Sequence, residues 1–246
     1  MAEVKKIALI TGANRGIGFE TARQLGQKGV AVIVAARTMQ AAEEAAAKLT
    51  AEGLEATAAK LDVTKEEDRQ SAAKLIQEKF GKLDILINNA GITAPGGLFG
   101  VRASETGEEE LESLLGTNFF SVIAITRTLL PLLKKSDAGR IVNVGSILGS
   151  LTEQANPASQ IAPLKVLSYN VSKTALNAFT VHLAVELKDT NIKVNTAHPG
   201  WVKTELGTEY APMEIPEGAR TSVDLALIGP DGPNGRFIHL GQELPW

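Results

Sequence analysis

Short runs of apolar, often β-branched residues alternate along this chain of 246 residues with longer amphipathic stretches. The short runs are Ile7–Ile10, Val30–Ala36, Glu55–Leu61, Asp84–Ile87, Arg140–Val144, Lys193–Thr196 and Arg236–Leu240. Several of them carry apolar side chains at consecutive rather than alternate positions. A strand of that kind belongs in a parallel sheet whose two faces are both covered by helices. The longer stretches Gly18–Lys28, Met39–Glu52, Lys65–Phe80, Glu108–Lys134, Ser168–Lys188 and Glu217–Ile228 supply those helices. Thr64 stands as N-cap to the third, ahead of an acidic first turn at Glu66 and Glu67. Repeated β-α units of this length predict a doubly wound α/β fold with right-handed crossovers. Seven strands use up the chain, so residues 1–246 read as one domain built on a parallel seven-stranded sheet with helices on both faces. The Pro/Gly-rich stretches Thr93–Gly100 and Gly229–Gly235 read as loops.

Composition narrows the chemistry. The chain has no cysteine, which excludes disulfides, thiol nucleophiles, iron–sulfur clusters and cysteine zinc sites. His182, His198 and His239 are scattered, at no metal-ligating spacing. Hydrophobic residues at 44% and charged residues at 22% fall in the globular range. A net charge of −3 argues against a nucleic-acid surface. The start Met1-Ala2-Glu3-Val4-Lys5-Lys6 lacks the form of a signal peptide. The longest apolar run, Val30–Ala36, is too short to span a bilayer. A cytoplasmic protein without nucleic acid or membrane as partner is the expectation.

The first predicted strand ends in Thr11-Gly12-Ala13-Asn14-Arg15-Gly16-Ile17-Gly18, and a helix follows. Its spacing, G-x-x-x-G-x-G, differs from both G-x-G-x-x-G and the P-loop. The physics is shared: glycines let backbone N–H groups approach a pyrophosphate, and the helix N-terminus favours the anion. An ordinary tight βα turn is the competing reading. Position favours the first, because this is the first βα turn, where doubly wound folds bind dinucleotides.

Tyr169 and Lys173 are four residues apart on a predicted helix and share one face, which Leu176 continues. A free tyrosine titrates near pKa ~10, too high for efficient proton exchange at neutrality. A cationic lysine close by lowers that value. Tyr210, the other tyrosine, has Glu214 at the same offset and makes no such pair. A surface amphipathic pair is the plainer alternative. Ser146 closes the fifth strand, at the sheet edge where open α/β folds carry ligands, or serves only as a turn former beside Gly145. Asn118 lies inside a helix without a propensity reason to be there.

Taken together and in order, these strings resemble the short-chain dehydrogenase/reductase family, whose first turn is T-G-x-x-x-G-x-G. Asp62-Val63 follows the third strand, and Asn88-Asn89-Ala90-Gly91 follows the fourth as the family's N-N-A-G. Tyr169-Asn170-Val171-Ser172-Lys173 matches Y-x-x-x-K, and Pro199-Gly200-Trp201-Val202-Lys203-Thr204 matches P-G-x-V-x-T. The resemblance covers essentially the whole chain and implies a Rossmann-type fold. It implies that Tyr169 is a general acid, that Ser146 holds a carbonyl oxygen, that Lys173 binds ribose hydroxyls while tuning Tyr169, and that Asn118 holds a proton-relay water. It further implies a dinucleotide held by Gly12, Asn14, Arg15, Gly16, Ile17 and Gly18, by Asp62 and Val63, by Asn89, Ala90 and Gly91, by Tyr169 and Lys173, and by Pro199, Gly200, Val202 and Thr204.

The end of the second strand reads Ala35-Ala36-Arg37-Thr38, with no carboxylate for a ribose 2′-hydroxyl. Arg37 offers a planar donor fork suited to a 2′-phosphate, and Arg15 could reach the same group; two solvated arginines are the alternative. The expectation is NADP (NADPH), with no metal. Local strings look closest to the NADPH-dependent carbonyl reductase branch, which implies a small-molecule ketone or aldehyde substrate. An NADP-dependent alcohol or steroid-type dehydrogenase working oxidatively uses the same residues. A non-catalytic dinucleotide sensor would lack Tyr169 or Lys173.

Between Ser146 and Tyr169 lies an insertion that includes Gln154–Pro163, longer than usual in the family and shorter than in carbonyl reductases. It leaves both a homo-oligomer and a monomer open, and could form part of the substrate pocket. Glu205–Ile215 is the other lid candidate; its Leu206, Tyr210, Met213 and Ile215 would line the pocket or form a satellite core. His198 beside Pro199 hints at a hydrolase, but Gly145-Ser146-Ile147-Leu148-Gly149 is not a G-x-S-x-G elbow. Trp201 and Trp246 read as packing residues.

Overall fold

Alternate side chains of one strand leave on opposite faces, and in β1 (Ile7–Ile10) both sets are buried. Ile7 and Leu9 join one apolar layer, while Ala8 and Ile10 join the other. β2 (Ala31–Ala36) splits likewise: Ala31, Ile33 and Ala35 go to the first layer and Val32 and Val34 to the second. The consecutive apolar runs of the sequence are therefore the signature of a sheet covered twice. The computed structural model describes residues 5–97 and 101–246. Residues 1–4 of the N-terminal stretch and 98–100 of the predicted loop Thr93–Gly100 lie outside the described residues.

The remaining strands are β3 (Ala56–Lys60), β4 (Ile85–Asn88), β5 (Arg140–Val144), β6 (Lys193–Ala197), β7 (Phe237–His239) and β8 (Gln242–Glu243). Among the described residues they form one sheet of eight strands in the order β3-β2-β1-β4-β5-β6-β7-β8. All pair in parallel except β8, which runs antiparallel to β7. The expectation of seven strands was one short: β8 is a two-residue return after the left-handed Leu240 and Gly241, too short to carry an apolar pattern. The order reverses between β1 and β4, which opens a crevice at their C-terminal ends.

The helices α1 (Gly16–Gln27), α2 (Met39–Ala51) and α3 (Glu66–Lys79) follow the first three strands. Thr64 does not cap α3. Lys65 occupies that position without a side-chain cap, and the Thr64 hydroxyl instead donates to Asp62 Oδ1 at 2.7 Å. The helix begins one residue later than a Thr64 cap requires, and the hydroxyl closes the loop onto Asp62 instead. The predicted helix Glu108–Lys134 is α4 (Glu108–Leu115) and α5 (Ser121–Leu133), joined by a π-helical turn at Gly116–Phe120. The run Glu108–Leu133 is long and apolar enough, by length and composition, to cross a membrane. Within this fold Ile125, Leu129, Leu132 and Leu133 on its inner side pack in the first core layer. The insertion contributes a 3-10 turn at Ile147–Gly149 and the short α6 (Leu151–Ala155); α7 (Leu167–Glu186) and α8 (Ile215–Ala226) complete the layers.

Candidate active site

Thr11 fastens the crevice. Its hydroxyl accepts the N–H groups of Asn89 and Ala90, both at 3.0 Å. Asn89 returns the contact, its Nδ2 donating to the carbonyls of Thr11 at 2.8 Å and Gly12 at 3.1 Å. The ends of β1 and β4 are thus tied side chain to backbone. Glycine is required here for space and for conformation. Gly12 has φ +62 and Gly16 φ +57. A Cβ on Gly18 would stand 2.4 Å from Asn89 Nδ2 and 2.6 Å from the Gly12 carbonyl. α1 begins at Gly16 with Arg15 as N-cap, no side-chain cap and no acidic residue in its first turn. Bare first-turn amides at a glycine-lined helix start suit a pyrophosphate, so the turn Gly12–Gly18, including Asn14 and Ile17, fits a dinucleotide.

The loop after β3 is held from α3. Asp68 Oδ2 accepts the Asp62 N–H at 2.9 Å, and Asp68 Oδ1 takes Lys60 Nζ at 3.0 Å. The backbone hydrogen bond, then Lys60, hold the Asp68 carboxyl below its usual range against the opposing effect of burial. Asp68 was absent from the sequence candidates; its only signal was the acidic start of α3. Val63 is buried beneath this loop.

At the end of β5, Ser146 caps the 3-10 turn by accepting Leu148 N–H at 3.2 Å, so its turn-forming role is real. It also faces the Tyr169 phenol, where its hydrogen bond favours the ionised form. α7 presses close to that turn: a Cβ on Gly149 would lie 2.7 Å from the Lys173 carbonyl carbon. Thr174 Oγ1 donates to the Gly149 carbonyl at 2.9 Å. The pressed contact fixes Tyr169 and Lys173 relative to Ser146.

Tyr169 is 7% exposed and Lys173 6%. Lys173 Nζ donates to the Val144 carbonyl at 2.9 Å and lies 5.7 Å from the centre of the Tyr169 ring. Burial pulls the lysine down to about 8. Burial pushes Tyr169 up to about 12, against the pull of Ser146. The expected lowering of the phenol by Lys173 is not among the effects that set it: desolvation dominates, opposed by Ser146, and favours the neutral phenol.

Asn118, 1% exposed, sits in the π-helical turn. Its amide is fully engaged by protein: Nδ2 donates to the Ile92 carbonyl at 2.9 Å and to Ser172 Oγ at 3.0 Å, and Oδ1 accepts Ile92 N–H at 2.9 Å. A Cβ on Gly91 would stand 3.2 Å from Asn118 Oδ1 and 3.7 Å from Lys173 Nζ.

After β6 the chain passes His198, Pro199 and Gly200, the last at φ +88. His198 is no hydrolytic base. Its Nδ1 accepts the N–H groups of Ile147 at 3.3 Å and Gly200 at 3.4 Å, and burial with the His239 charge takes it down to about 3. Val202 is buried and bridges Met213, and Thr204 Oγ1 accepts Gly207 N–H at 3.1 Å. Arg15 pairs with Glu205, while Arg37 is exposed after β2. Trp246 stacks on Phe237 at 5.6 Å as a packing residue; Trp201 is half exposed and its indole donates to the Gly207 carbonyl.

The apolar wall beside Tyr169 is built from Ala94, Leu114, Leu148 and Val166, with Ile92, Ile161 and Leu164 packed against it. The insertion supplies Ile161, Leu164 and Val166 of this wall. The lid candidates Leu206 and Tyr210 are exposed, Tyr210 at 79%, so they form neither a satellite core nor a closed wall.

The pattern of the short chain dehydrogenase family matches residues 6–215. A short-chain dehydrogenase of Penicillium roqueforti is 38% identical over 237 residues, covering 93% of this chain and 91% of its own. Carbonyl reductase (NADPH) 1 of Mus musculus is 31% identical and covers all of both chains. The crystal structure of an NADPH-bound carbonyl reductase from chicken fatty liver superposes with a TM-score of 0.85 at 26% identity, covering 99% of this chain and 100% of that one.

Proposed function

Since the chain belongs to the short chain dehydrogenase family, in a carbonyl reductase-like branch of these nicotinamide-dependent oxidoreductases, we propose that it reduces a ketone or aldehyde to an alcohol with NADPH. The observation that carries this reading is the juxtaposition of a buried, neutral Tyr169, the Ser146 hydroxyl facing it and Lys173 beneath its ring.

When bound, the nicotinamide supplies a hydride to the carbonyl carbon. Tyr169 gives its phenolic proton to the carbonyl oxygen as negative charge develops there. Burial keeps the phenol protonated and so able to donate; the reverse, oxidative reaction would use the same residues. Ser146 Oγ hydrogen-bonds the same oxygen and orients it toward Tyr169. Lys173, anchored at Val144, directs its remaining protons toward the ribose hydroxyls. With its side-chain amide engaged by Ile92 and Ser172, Asn118 acts as a positioning residue that shapes the loop at Gly91. Gly12–Gly18 would receive the pyrophosphate, Asp62 and Val63 would lie toward the adenine, and Asn89, Ala90 and Gly91 would contact the cofactor. Pro199, Gly200, Val202 and Thr204 would complete the cofactor's contacts after β6. The absence of a carboxylate after Ala36, with Arg37 and Arg15 in its place, supports NADP over NAD. Residues 1–246 act as one catalytic unit.

Tyr169→Phe tests the mechanism. It should lower kcat by about 10²–10⁴-fold, the usual range for a general acid, while fluorescence titration shows unchanged NADPH binding. Near-wild-type turnover on a panel of aldehydes, ketones and diketones would refute the role.

A further inference from the structure

The segment after Thr204 is closed on itself. Met213 bridges Val202, its carbonyl accepts Lys203 N–H at 2.9 Å, and its own N–H donates to the Trp201 carbonyl at 3.2 Å. Higher in the loop, Gly207 N–H and Thr208 N–H donate to the Thr204 carbonyl, and the Trp201 indole donates to the Gly207 carbonyl. Among the described residues, one hydrogen bond ties 205–212 to a segment outside 201–213: Glu205 Oε1 accepts Arg15 Nη1 at 2.6 Å. That contact joins residues 190 apart in sequence and lands on the glycine turn. The loop base also rests there, since a Cβ on Gly16 would lie 3.7 Å from Thr204 Cγ2.

We propose that Glu205 is a specificity-determining residue: it competes with the 2′-phosphate of NADPH for Arg15, and loss of the Arg15–Glu205 pair releases the loop 205–212. The proposal rests on the reading of Arg15 as a 2′-phosphate ligand. Both side chains are exposed, Arg15 at 64% and Glu205 at 75%, so the pair is weak and screened. A phosphate dianion carries more charge than the carboxylate and engages the guanidinium fork bidentately. NADPH therefore displaces Glu205. NADH has no group to exchange for it and leaves the loop latched. The same carboxylate thus costs affinity for NADPH and couples the cofactor's phosphate to the mobility of a lid.

Glu205→Gln removes the charge and keeps the shape. It should tighten the NADPH dissociation constant by about 1.4- to 5-fold, the range for an exposed ion pair, and leave that for NADH unchanged. Hydrogen exchange of peptides spanning 205–212 should rise in the wild type on adding NADPH but not NADH. In the variant it should be high from the start. In an Arg15→Ala background the same substitution should change neither quantity. A wild type that prefers NADPH, with a variant unchanged in both constants and in exchange, overturns the latch alone. So does a Glu205→Gln effect that persists without Arg15. A wild type that binds NADH as tightly as NADPH overturns the reading of Arg15 and the latch with it.

Discussion

Asn118 and Ile92 are bonded twice, Nδ2 to carbonyl and N–H to Oδ1, each at 2.9 Å. The side chain imitates the edge of a strand and completes the backbone of the loop that leaves β4. The π-helical turn serves this contact by widening the helix where the amide must reach out. In Asn118→Ala the Ile92 N–H and carbonyl lose their partner, and Ser172 loses a donor. A buried polar group left unpaired costs roughly 1–3 kcal/mol, so we expect a loss of about 2 kcal/mol in urea unfolding. Because Gly91 lies against Asn118 and near Lys173, kcat should fall more than NADPH affinity. Unchanged kcat in a folded variant would contradict the positioning role.

Arg37 should decide cofactor choice. Replacing it with Ala removes charge-assisted hydrogen bonds to a 2′-phosphate, worth about 1.5–3 kcal/mol. The kcat/KM for NADPH should fall by roughly 10- to 100-fold, and that for NADH should stay within a factor of about two. Equal losses with both cofactors would show that Arg37 supports the fold at the C-terminal end of β2 instead.

Much of this architecture is legible in residue pattern because the physics behind it is local or periodic. Consecutive apolar residues at Val30–Ala36 reveal a doubly covered strand, and Tyr169 with Lys173 falls on one face at a spacing of four. The unread parts depend on contacts between distant segments. The break in Glu108–Lys134 arises because Asn118 reaches Ile92, 26 residues away. Thr64 bonds to Asp62 in the loop while α3 starts from Lys65, and Asp68 holds Asp62 in a way that no motif announces. β8 is two residues long and has no period to detect. The balance of effects at Tyr169 was also beyond the sequence: the pattern puts a lysine nearby but does not tell how far burial opposes it.

Burial of Lys173 makes stability depend on alkaline pH. Its folded pKa of about 8 lies below the ordinary lysine value of 10.5. The unfolded chain therefore holds more protons between those values, and stability should rise with pH across that window. Tyr169 has the opposite sign: its folded value of about 12 exceeds the ordinary tyrosine value of 10.0, so its contribution is complete below 10 and lost as pH climbs toward 12. Lys173→Met should raise unfolding free energy at pH 7 by roughly 2 kcal/mol, with the lost bond to Val144 offsetting part of the relief. The gain should shrink at pH 10, and turnover should nearly vanish at either pH. Urea unfolding at the two values checks it; a variant less stable than wild type at pH 7 would mean the bond outweighs the burial.

His198 should act in acid. Its folded pKa of about 3 lies below the ordinary histidine value of 6.5, so its contribution is present above 6.5 and lost as pH falls toward 3. The imidazole must stay neutral, because Nδ1 accepts from Ile147 and Gly200 and so joins the Ser146 turn to the Pro199 turn. Protonation removes that acceptor and places a charge beside His239, 4.8 Å away between ring centres. His198→Asn keeps an acceptor oxygen and removes the titration. The wild type should then lose about 3 kcal/mol more than the variant between pH 6.5 and 4, while both share the background of titrating carboxylates. At pH 7 to 9 the variant should retain most of its kcat, whereas His198→Leu, without the acceptor, should lose kcat as Ser146 drifts from Tyr169. Parallel acid unfolding curves for wild type and His198→Asn would show that the ring does not hold its neutral form against protonation.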